Sequence, residues 1–262
     1  MPEIILDDIF FAYDKDNNVI QNINLKLDGP GLICIIGPNG VGKSTLIKCI
    51  NKLLSPNSGD VYLDGINVKN IRTKALAKDM AYVPVSSQDC FAMSVVDSIL
   101  IGRHNHQRWR TTDRDLEMVY KVMNLLDIED LSMRSFNELS AGQHQKVSLA
   151  RGLVQESKIL ILDEPTSNLD VRHQVYVAEL LRAIAIRMEM TIIMISHDLN
   201  ISAKYAHKII VMSSPGIIHS IGTPNEVITE TMIREVYGVE CTIIIDGKMP
   251  HVILGSAIPT EK

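Results

Sequence analysis

No run of apolar residues in this chain approaches the ~20 needed to span a bilayer as a helix. The N-terminus, Met1-Pro2-Glu3, also lacks a basic region followed by a cleavable apolar segment. Together these absences predict a cytoplasmic chain, any membrane role of which comes through a partner. Cysteine is scarce as well. Cys34, Cys49, Cys90 and Cys241 form no C-x-x-C pair and no close framework, so they read as buried or loop thiols in a reducing compartment. Positive charge is not in excess: 26 Lys and Arg stand against 31 Asp and Glu, a formal net charge of −5 with the signs mixed. That balance removes a general nucleic-acid footprint. The richest basic stretch, Arg103 to Arg110, carries a His-x-His without companion ligands at metal spacing and reads as a solvated loop. Repeats, long linkers and Pro-rich or Gly/Ser-rich tracts are absent, which leaves one interrupted core rather than two independent domains.

At 262 residues the chain has room for one large α/β core with an inserted lobe. Gly37-Pro38-Asn39-Gly40-Val41-Gly42-Lys43-Ser44-Thr45 fits the P-loop pattern G-x-x-x-x-G-K-[ST] and follows directly on the apolar run Leu32 to Ile36. A buried strand delivers the chain to the sheet edge, glycines let backbone amides turn inward, and a helix opening near Lys43 aims its positive end at an anion. Lys43 is placed to reach the β- and γ-phosphates of a nucleotide and Ser44 to hold Mg²⁺.

A second signal is Lys158-Ile159-Leu160-Ile161-Leu162-Asp163-Glu164-Pro165. Four apolar residues without alternation read as a central parallel strand covered on both faces. The C-terminal ends of such strands are where open α/β sheets place ligands, so both acids are expected beside the P-loop. Alternation along the strand sends them to opposite sides. Asp163 then suits the Mg²⁺ shell, and Glu164 suits orienting and deprotonating an attacking water. Between the two motifs stands Leu139-Ser140-Ala141-Gly142-Gln143, a serine N-cap and small residues that leave free amides at the start of the run His144 to Gln155.

With these three motifs the chain resembles the ATP-binding cassette (ABC) ATPases, whose signature LSGGQ reads LSAGQ here. The resemblance covers essentially the whole chain. It implies the P-loop NTPase ABC-ATPase fold, an α/β architecture with a mixed sheet core at about 1–84 and 158–215, an inserted helical subdomain at about 86–157 and a C-terminal tail at about 216–262. Amphipathic runs at Ser94 to Ile101, Asp113 to Leu126 and Ala141 to Gln155 fit the helical part. The resemblance further implies that Tyr13, ahead of the first strand pair, stacks on adenine. Ser167-Asn168-Leu169-Asp170 looks like the D-loop, with Asp170 across a dimer seam. His197, in Ser196-His197-Asp198 after the buried strand Thr191 to Ile195, looks like the switch histidine that contacts the γ-phosphate.

One position departs from the family pattern. Tyr82-Val83-Pro84-Val85 has valine where the family's Q-loop has glutamine, and Gln88 comes three residues late. Either a remodelled loop lets Gln88 reach Mg²⁺, or water fills that coordination place. In the tail, Gly222-Thr223-Pro224-Asn225-Glu226-Val227-Ile228 resembles the turn of importer-type cassettes. Thr231 to Val239 with a short strand at Thr242 to Ile245 resembles the tail of cassettes serving iron-siderophore, haem and cobalamin uptake. The implied protein is an ATPase working with ATP and Mg²⁺ as an ATP-dependent homodimer, the P-loop of one copy facing Ser140, Ala141, Gly142 and Gln143 of the other. Its implied partners are transmembrane permease subunits and, indirectly, a substrate-binding protein, with the chain peripheral on the inner face of the membrane. The rival readings are a cassette for another substrate and a non-transport cassette of DNA or translation. Against the latter, only about 95 residues separate Lys43 from Ser140, with no sustained heptads, and the chain holds one cassette.

Overall fold

The computed structural model describes residues 2–14, 17–85, 93–105, 111–167 and 169–259. In chain order the strands and helices are β1 (Glu3–Asp14), β2 (Asn17–Asp28), β3 (Gly31–Ile36), α1 (Lys43–Ile50), β4 (Ser58–Leu63), β5 (Ile66–Asn67), α2 (Thr73–Asp79) and β6 (Met80–Val83). Then follow α3 (Val95–Leu100), α4 (Asp113–Leu126), α5 (Ala141–Leu153), β7 (Ile159–Leu162), α6 (Val171–Arg187), β8 (Thr191–Ile195), α7 (Leu199–Tyr205) and β9 (Lys208–Ser213). The chain closes with β10 (Ile217–Gly222), α8 (Pro224–Val227), α9 (Glu230–Tyr237), β11 (Val239–Asp246) and β12 (Met249–Ala257).

The main sheet runs β10-β9-β3-β8-β7-β6, parallel except for the edge strand β10. Its central strands are buried on both faces, which is why they read as unbroken apolar runs. The two-residue period divides them between two cores. Leu32, Cys34, Leu160, Leu162, Ile192 and Met194 face the cluster shared with α3 to α7 and α9. Ile33, Ile35, Ile159, Ile161, Ile193 and Ile195 face the cluster shared with α1 and the N-terminal strands. Those strands form a separate antiparallel sheet, β2-β1-β4-β5. Along β1 the buried set changes from Ile4 and Leu6 to Ile9 and Phe11, a one-residue slip that would turn every later side chain outward. A bulge absorbs it, with Asp8 at φ 54° and the register shifting between Leu6 and Ile9.

β6 and β7 pair directly, Met80 with Ile159 through Val83 with Leu162, although α3 to α5 lie between them in sequence. The inserted helices therefore leave and re-enter the core through neighbouring strands. α4 begins at a closed capping box between Thr112 and Asp115 and buries Asp115, Val119, Val122, Met123 and Leu126 along one face. Here one expectation is corrected. Arg103 is not in a solvated loop but 2% exposed, its Nε donating to Asp115 Oδ1 (2.9 Å) and its Nη1 to Val154 O and Glu156 Oε2 (both 2.6 Å). The planar fork satisfies three acceptors at once, which a buried cation requires. Residues 106–110 of that basic stretch, and Cys90, lie outside the described residues.

The tail also differs from expectation. Its helix spans α9, but in place of a single short strand there is a two-stranded hairpin, β11 with β12. β12 reads poorly as a strand because it opens Met-Pro and carries Gly-Ser near its end. Cys34 and Cys49 are buried free thiols, their pKa values pushed up to about 12 by burial, and Cys241 is a free thiol on β11 rather than in a loop. Among the described residues no helix is long and apolar enough to cross a membrane.

Candidate active site

β3 ends at Ile36 and the chain turns through Gly37 to Gly42 into α1. Gly42, the residue ahead of the helix, sits at φ 94°, a left-handed conformation that suits glycine, and no side chain caps the helix start. The first amides of α1 are thus left unspent by the fold. Lys43 is 5% exposed, and its Nζ donates to the carbonyls of Gly37 (2.8 Å) and Pro38 (2.7 Å). Burial draws its pKa below the usual lysine value, against the opposing pull of the Glu164 and Asp163 carboxylates. Asn39 and Gly40 are exposed at the tip of the loop, while Val41 and Thr45 are buried beneath it.

Asp163 follows β7 and continues its ladder, its amide donating to Val83 O (2.9 Å). The carboxylate is 4% exposed and takes Ser44 Oγ on Oδ1 (3.0 Å) and Tyr82 Oη on Oδ2 (3.2 Å). Burial and the neighbouring carboxylate hold the Tyr82 phenol well above its usual pKa, so it remains a donor. Sequence reasoning missed this role of Tyr82. The signal needed was the pairing of β6 with β7, which no local motif encodes.

Glu164 points elsewhere, though not through strand alternation. Both acids lie beyond the end of β7, and Glu164 adopts φ 50°. A left-handed non-glycine residue at this point is a local strain that re-aims the side chain. Its Oε1 lies 2.6 Å from His197 Nε2, and Ser167 Oγ donates to its carbonyl (2.9 Å). His197 follows β8, whose ladder is extended by Ser196 N to Ile35 O (3.1 Å). Glu164, Thr166, Ser167, Gln174, Ile195, His197 and Asp198 line a cleft of about 230 Å³.

Tyr13 lies not ahead of the first strand pair but within β1, near its end. It is 54% exposed, edge-on to Phe11 with ring centroids 4.9 Å apart, and its hydroxyl is 3.3 Å from Thr45 Oγ1. The ring therefore stands beside the P-loop helix and is more than half exposed. Ser140 begins α5 in a reciprocal box, Gln143 N to Ser140 Oγ (3.4 Å) and Ser140 N to Gln143 Oε1 (2.9 Å). Asp170 caps α6 by accepting His173 N (2.9 Å), and both its oxygens lie 2.9 Å from His173 Nδ1. The His173 ring also sits against Gly142. The structure thus gathers Lys43, Ser44, Asp163, Glu164 and His197 into one cluster and Gly142, His173 and Asp170 into another. Among the described residues no hydrogen bond joins Ser140 to Gln143 with the P-loop. Val85 is exposed beyond β6, whereas Gln88 and Asn168 lie outside the described residues.

Ser44 and Asp163 form a pair of hard oxygen donors at one point, and no group of three or more His, Cys, Asp or Glu able to hold a metal occurs among the described residues. Such a pair fits Mg²⁺, which keeps waters and shares substrate phosphates, and does not fit a closed all-protein cage. The family model described as ABC transporter matches residues 20–167. An uncharacterized ABC transporter ATP-binding protein of Methanocaldococcus jannaschii is 42% identical over 238 residues, 91% of this chain and 92% of that protein. The petrobactin import ATP-binding protein FpuD of Bacillus anthracis is 34% identical over 230 residues, 87% of this chain and 84% of that protein. Among solved structures, cbiO1 of Clostridium perfringens, part of the ABC transporter complex cbiONQ, matches with a TM-score of 0.78 at 28% identity, covering 88% of this chain and 92% of that one.

Proposed function

The chain belongs to the ABC transporter family, and from that footing we propose that it is the ATPase subunit of an importer for an iron chelate, haem or cobalamin. It works as an ATP-dependent homodimer on the inner face of the membrane, attached to permease subunits that a substrate-binding protein supplies. The observation that carries the catalytic reading is the division of labour between two adjacent acids. Asp163 is buried on Ser44 and Tyr82, while Glu164 is turned to His197. Import as the direction is supported by the relative named for petrobactin import and by the tail, which resembles those of uptake cassettes.

In this reading the amides of the loop from Asn39 to Thr45 wrap the triphosphate, and Lys43 exchanges the Gly37 and Pro38 carbonyls for phosphate oxygens. Tyr13 stacks on the adenine. Ser44 and Asp163 hold Mg²⁺, with Gln88 the candidate for a further place in its shell. The cation, when bound, neutralises charge on the phosphate oxygens. Glu164 takes the proton of the attacking water as its oxygen bonds to the γ-phosphorus and the bond to the β-γ bridging oxygen breaks, releasing ADP and phosphate. His197 holds the Glu164 carboxylate and contacts the γ-phosphate. A second copy supplies Ser140, Ala141, Gly142 and Gln143 over the same phosphates, with Asp170 across the seam. The core at about 1–84 and 158–215, the helical part at about 86–157 and the tail at about 216–262 are the moving and anchoring units of this machine.

The test begins with Glu164→Gln, which keeps shape and removes the base. Turnover should fall at least about 100-fold while ATP binding is retained. Gel filtration with ATP and Mg²⁺ should show a locked dimer. Monomers alone, or hydrolysis near the wild-type rate, would overturn the assignment. The substrate class is tested by co-purifying the permease and identifying the ligand on its binding protein. A ligand that is no iron chelate, haem or corrinoid sinks that part.

A further inference from the structure

The signature helix is joined to the core by a seam that the mechanism above does not use. α5 and α6 meet there at two rungs, Gly142 with His173 and, one helical turn further along each, Lys146 with Tyr176. At the second rung Lys146 Nζ stands 5.0 Å from the centroid of the Tyr176 ring and also donates to Asp127 O (3.3 Å), just beyond α4. At the first, the position a Cβ would take on Gly142 lies 3.2 Å from His173 Cδ2 and 3.4 Å from its Nε2. One edge of the imidazole therefore fits against the signature because glycine leaves room for it.

The other edge is fixed by Asp170. Nδ1 lies 2.9 Å from both carboxylate oxygens, and since an ionised carboxylate can only accept, Nδ1 carries the proton and donates. The His173 amide donates to the same carboxylate (2.9 Å). Amide and ring together hold the Asp170 carboxyl below its usual pKa, so it stays ionised at neutral pH. The next residue, Gln174, donates from Nε2 to Thr166 O (3.2 Å), two residues after Glu164. The first turn of α6 is thus tied down before its histidine meets the signature. Both partners of the pair are exposed, His173 at 47% and Asp170 at 67%, where such a contact adds little to stability. What it does fix is the direction of the ring.

We propose that His173 is a positioning residue for the signature, a prop locked by Asp170 that sets where Ser140, Ala141 and Gly142 stand over a nucleotide held by a second copy. The proposal rests on the shared-site reading above. His173 touches the signature of its own chain, so the hydrolysis it supports is that of the neighbour's P-loop. The D-loop acid and the signature are then set by one side chain and reach the second copy as a unit.

His173→Ala should leave the ATP affinity of the isolated chain within about two-fold in calorimetry, since the groups His173 touches are Asp170 and Gly142. Hydrolysis should fall about ten-fold, because a small misplacement of a phosphate donor is felt in the rate. The deciding measurement puts the substitution on one chain of a mixed dimer. When Lys43→Ala and Ser140→Arg chains are mixed, the working site joins the P-loop of the Ser140→Arg chain to the signature of the Lys43→Ala chain. Adding His173→Ala to the Lys43→Ala chain should lower the recovered rate about ten-fold. Adding it to the Ser140→Arg chain, whose signature is already disabled, should change that rate less than about two-fold. Equal losses in both arms, or a loss in neither, would overturn the prop. His173→Asn keeps a donor for Asp170 but has no ring to reach Gly142, and should behave as the alanine variant does. Hydrolysis at the wild-type rate in His173→Asn would mean that the bond to Asp170 alone matters, and would overturn the prop as well. If the starting mixture recovers no hydrolysis at any ratio, the shared-site reading fails and the prop with it. If the mixture recovers and the two arms agree, the prop alone fails.

Discussion

α1 and α5 both begin at a motif suited to phosphate, yet α1 follows Gly42 with no side-chain cap, while α5 starts inside a closed box made by Ser140 and Gln143. The surroundings differ in the same sense. Gly42 and Lys43 are buried, and Lys43 is occupied with its own loop carbonyls, whereas Ser140 and Ala141 are exposed. A missing cap costs a helix about 1 kcal/mol. The chain accepts that cost at α1, where an anion can satisfy the amides, and avoids it at α5, which stays folded with or without one. The contrast supports the proposed reading, in which the P-loop is a half-site left open within the chain and the self-capped signature helix meets a nucleotide held by a second copy.

The sharpest way to break this comparison is to injure each half alone. Lys43→Ala should weaken ATP binding about 10- to 100-fold in calorimetry, because it removes a charge-assisted contact. Ser140→Arg should leave binding to the isolated chain nearly intact yet reduce hydrolysis about 100-fold. Mixing the two variants should restore up to about a quarter of the wild-type rate when association is random, since half the dimers then hold one intact composite site. Absence of recovery at every mixing ratio, with both variants folded and dimerising, would end the picture of a signature serving its neighbour. Equal loss of ATP binding in both variants would end it too.

A smaller effect separates the glycines of the two motifs. A Cβ on Gly42 lies 2.7 Å from Val19 O on a backbone at φ 94°, so Gly42→Ala meets both strain and main chain. Thermal unfolding should register a loss of about 2–3 kcal/mol. Gly142 has ordinary helical geometry, and its added Cβ meets only the half-exposed His173 ring at 3.2 Å. Gly142→Ala should therefore change stability by no more than about 1 kcal/mol in either direction. Ser140→Ala, which opens the capping box, should likewise cost only about 1 kcal/mol, a fall of roughly 2–4 °C in melting temperature. Reversal of the Gly42 and Gly142 ranking would mean that the signature, not the P-loop, is the rigid half.

Where the sequence could be read, the information was local. Asp113 to Leu126 carries its own cap and its own apolar face, and α4 has those bounds. The runs Ile159 to Leu162 and Thr191 to Ile195 are apolar without alternation because both faces of the sheet are covered. What escaped was set by contacts distant in sequence or by a single torsion. Arg103 looked like one of several basic residues until Asp115 and Glu156 were brought to it from other elements. Glu164 owes its direction to a left-handed residue that no pattern of hydrophobicity announces. Tyr82 became a partner of Asp163 only through strand pairing. Val85 shows the reverse limit: its identity marked a departure from the family's loop, but Gln88, the candidate substitute, lies outside the described residues.

The pairing of β6 with β7 also bears on how the chain reaches its native state. Its partners, Met80 and Ile159, are about 80 residues apart. Closing a loop of that length carries an entropic penalty of roughly 4 kcal/mol before any contact in the pair repays it. Condensation of α3 to α5 on the cluster they share shortens the effective loop, so the inserted helices act as a folding clamp for the strand pair. Asp163, seated on Tyr82 and Ser44, gains its Tyr82 partner only through this pairing. During refolding, competence to bind nucleotide should lag behind the recovery of helical signal, with the site assembled only when the sheet's last join is made.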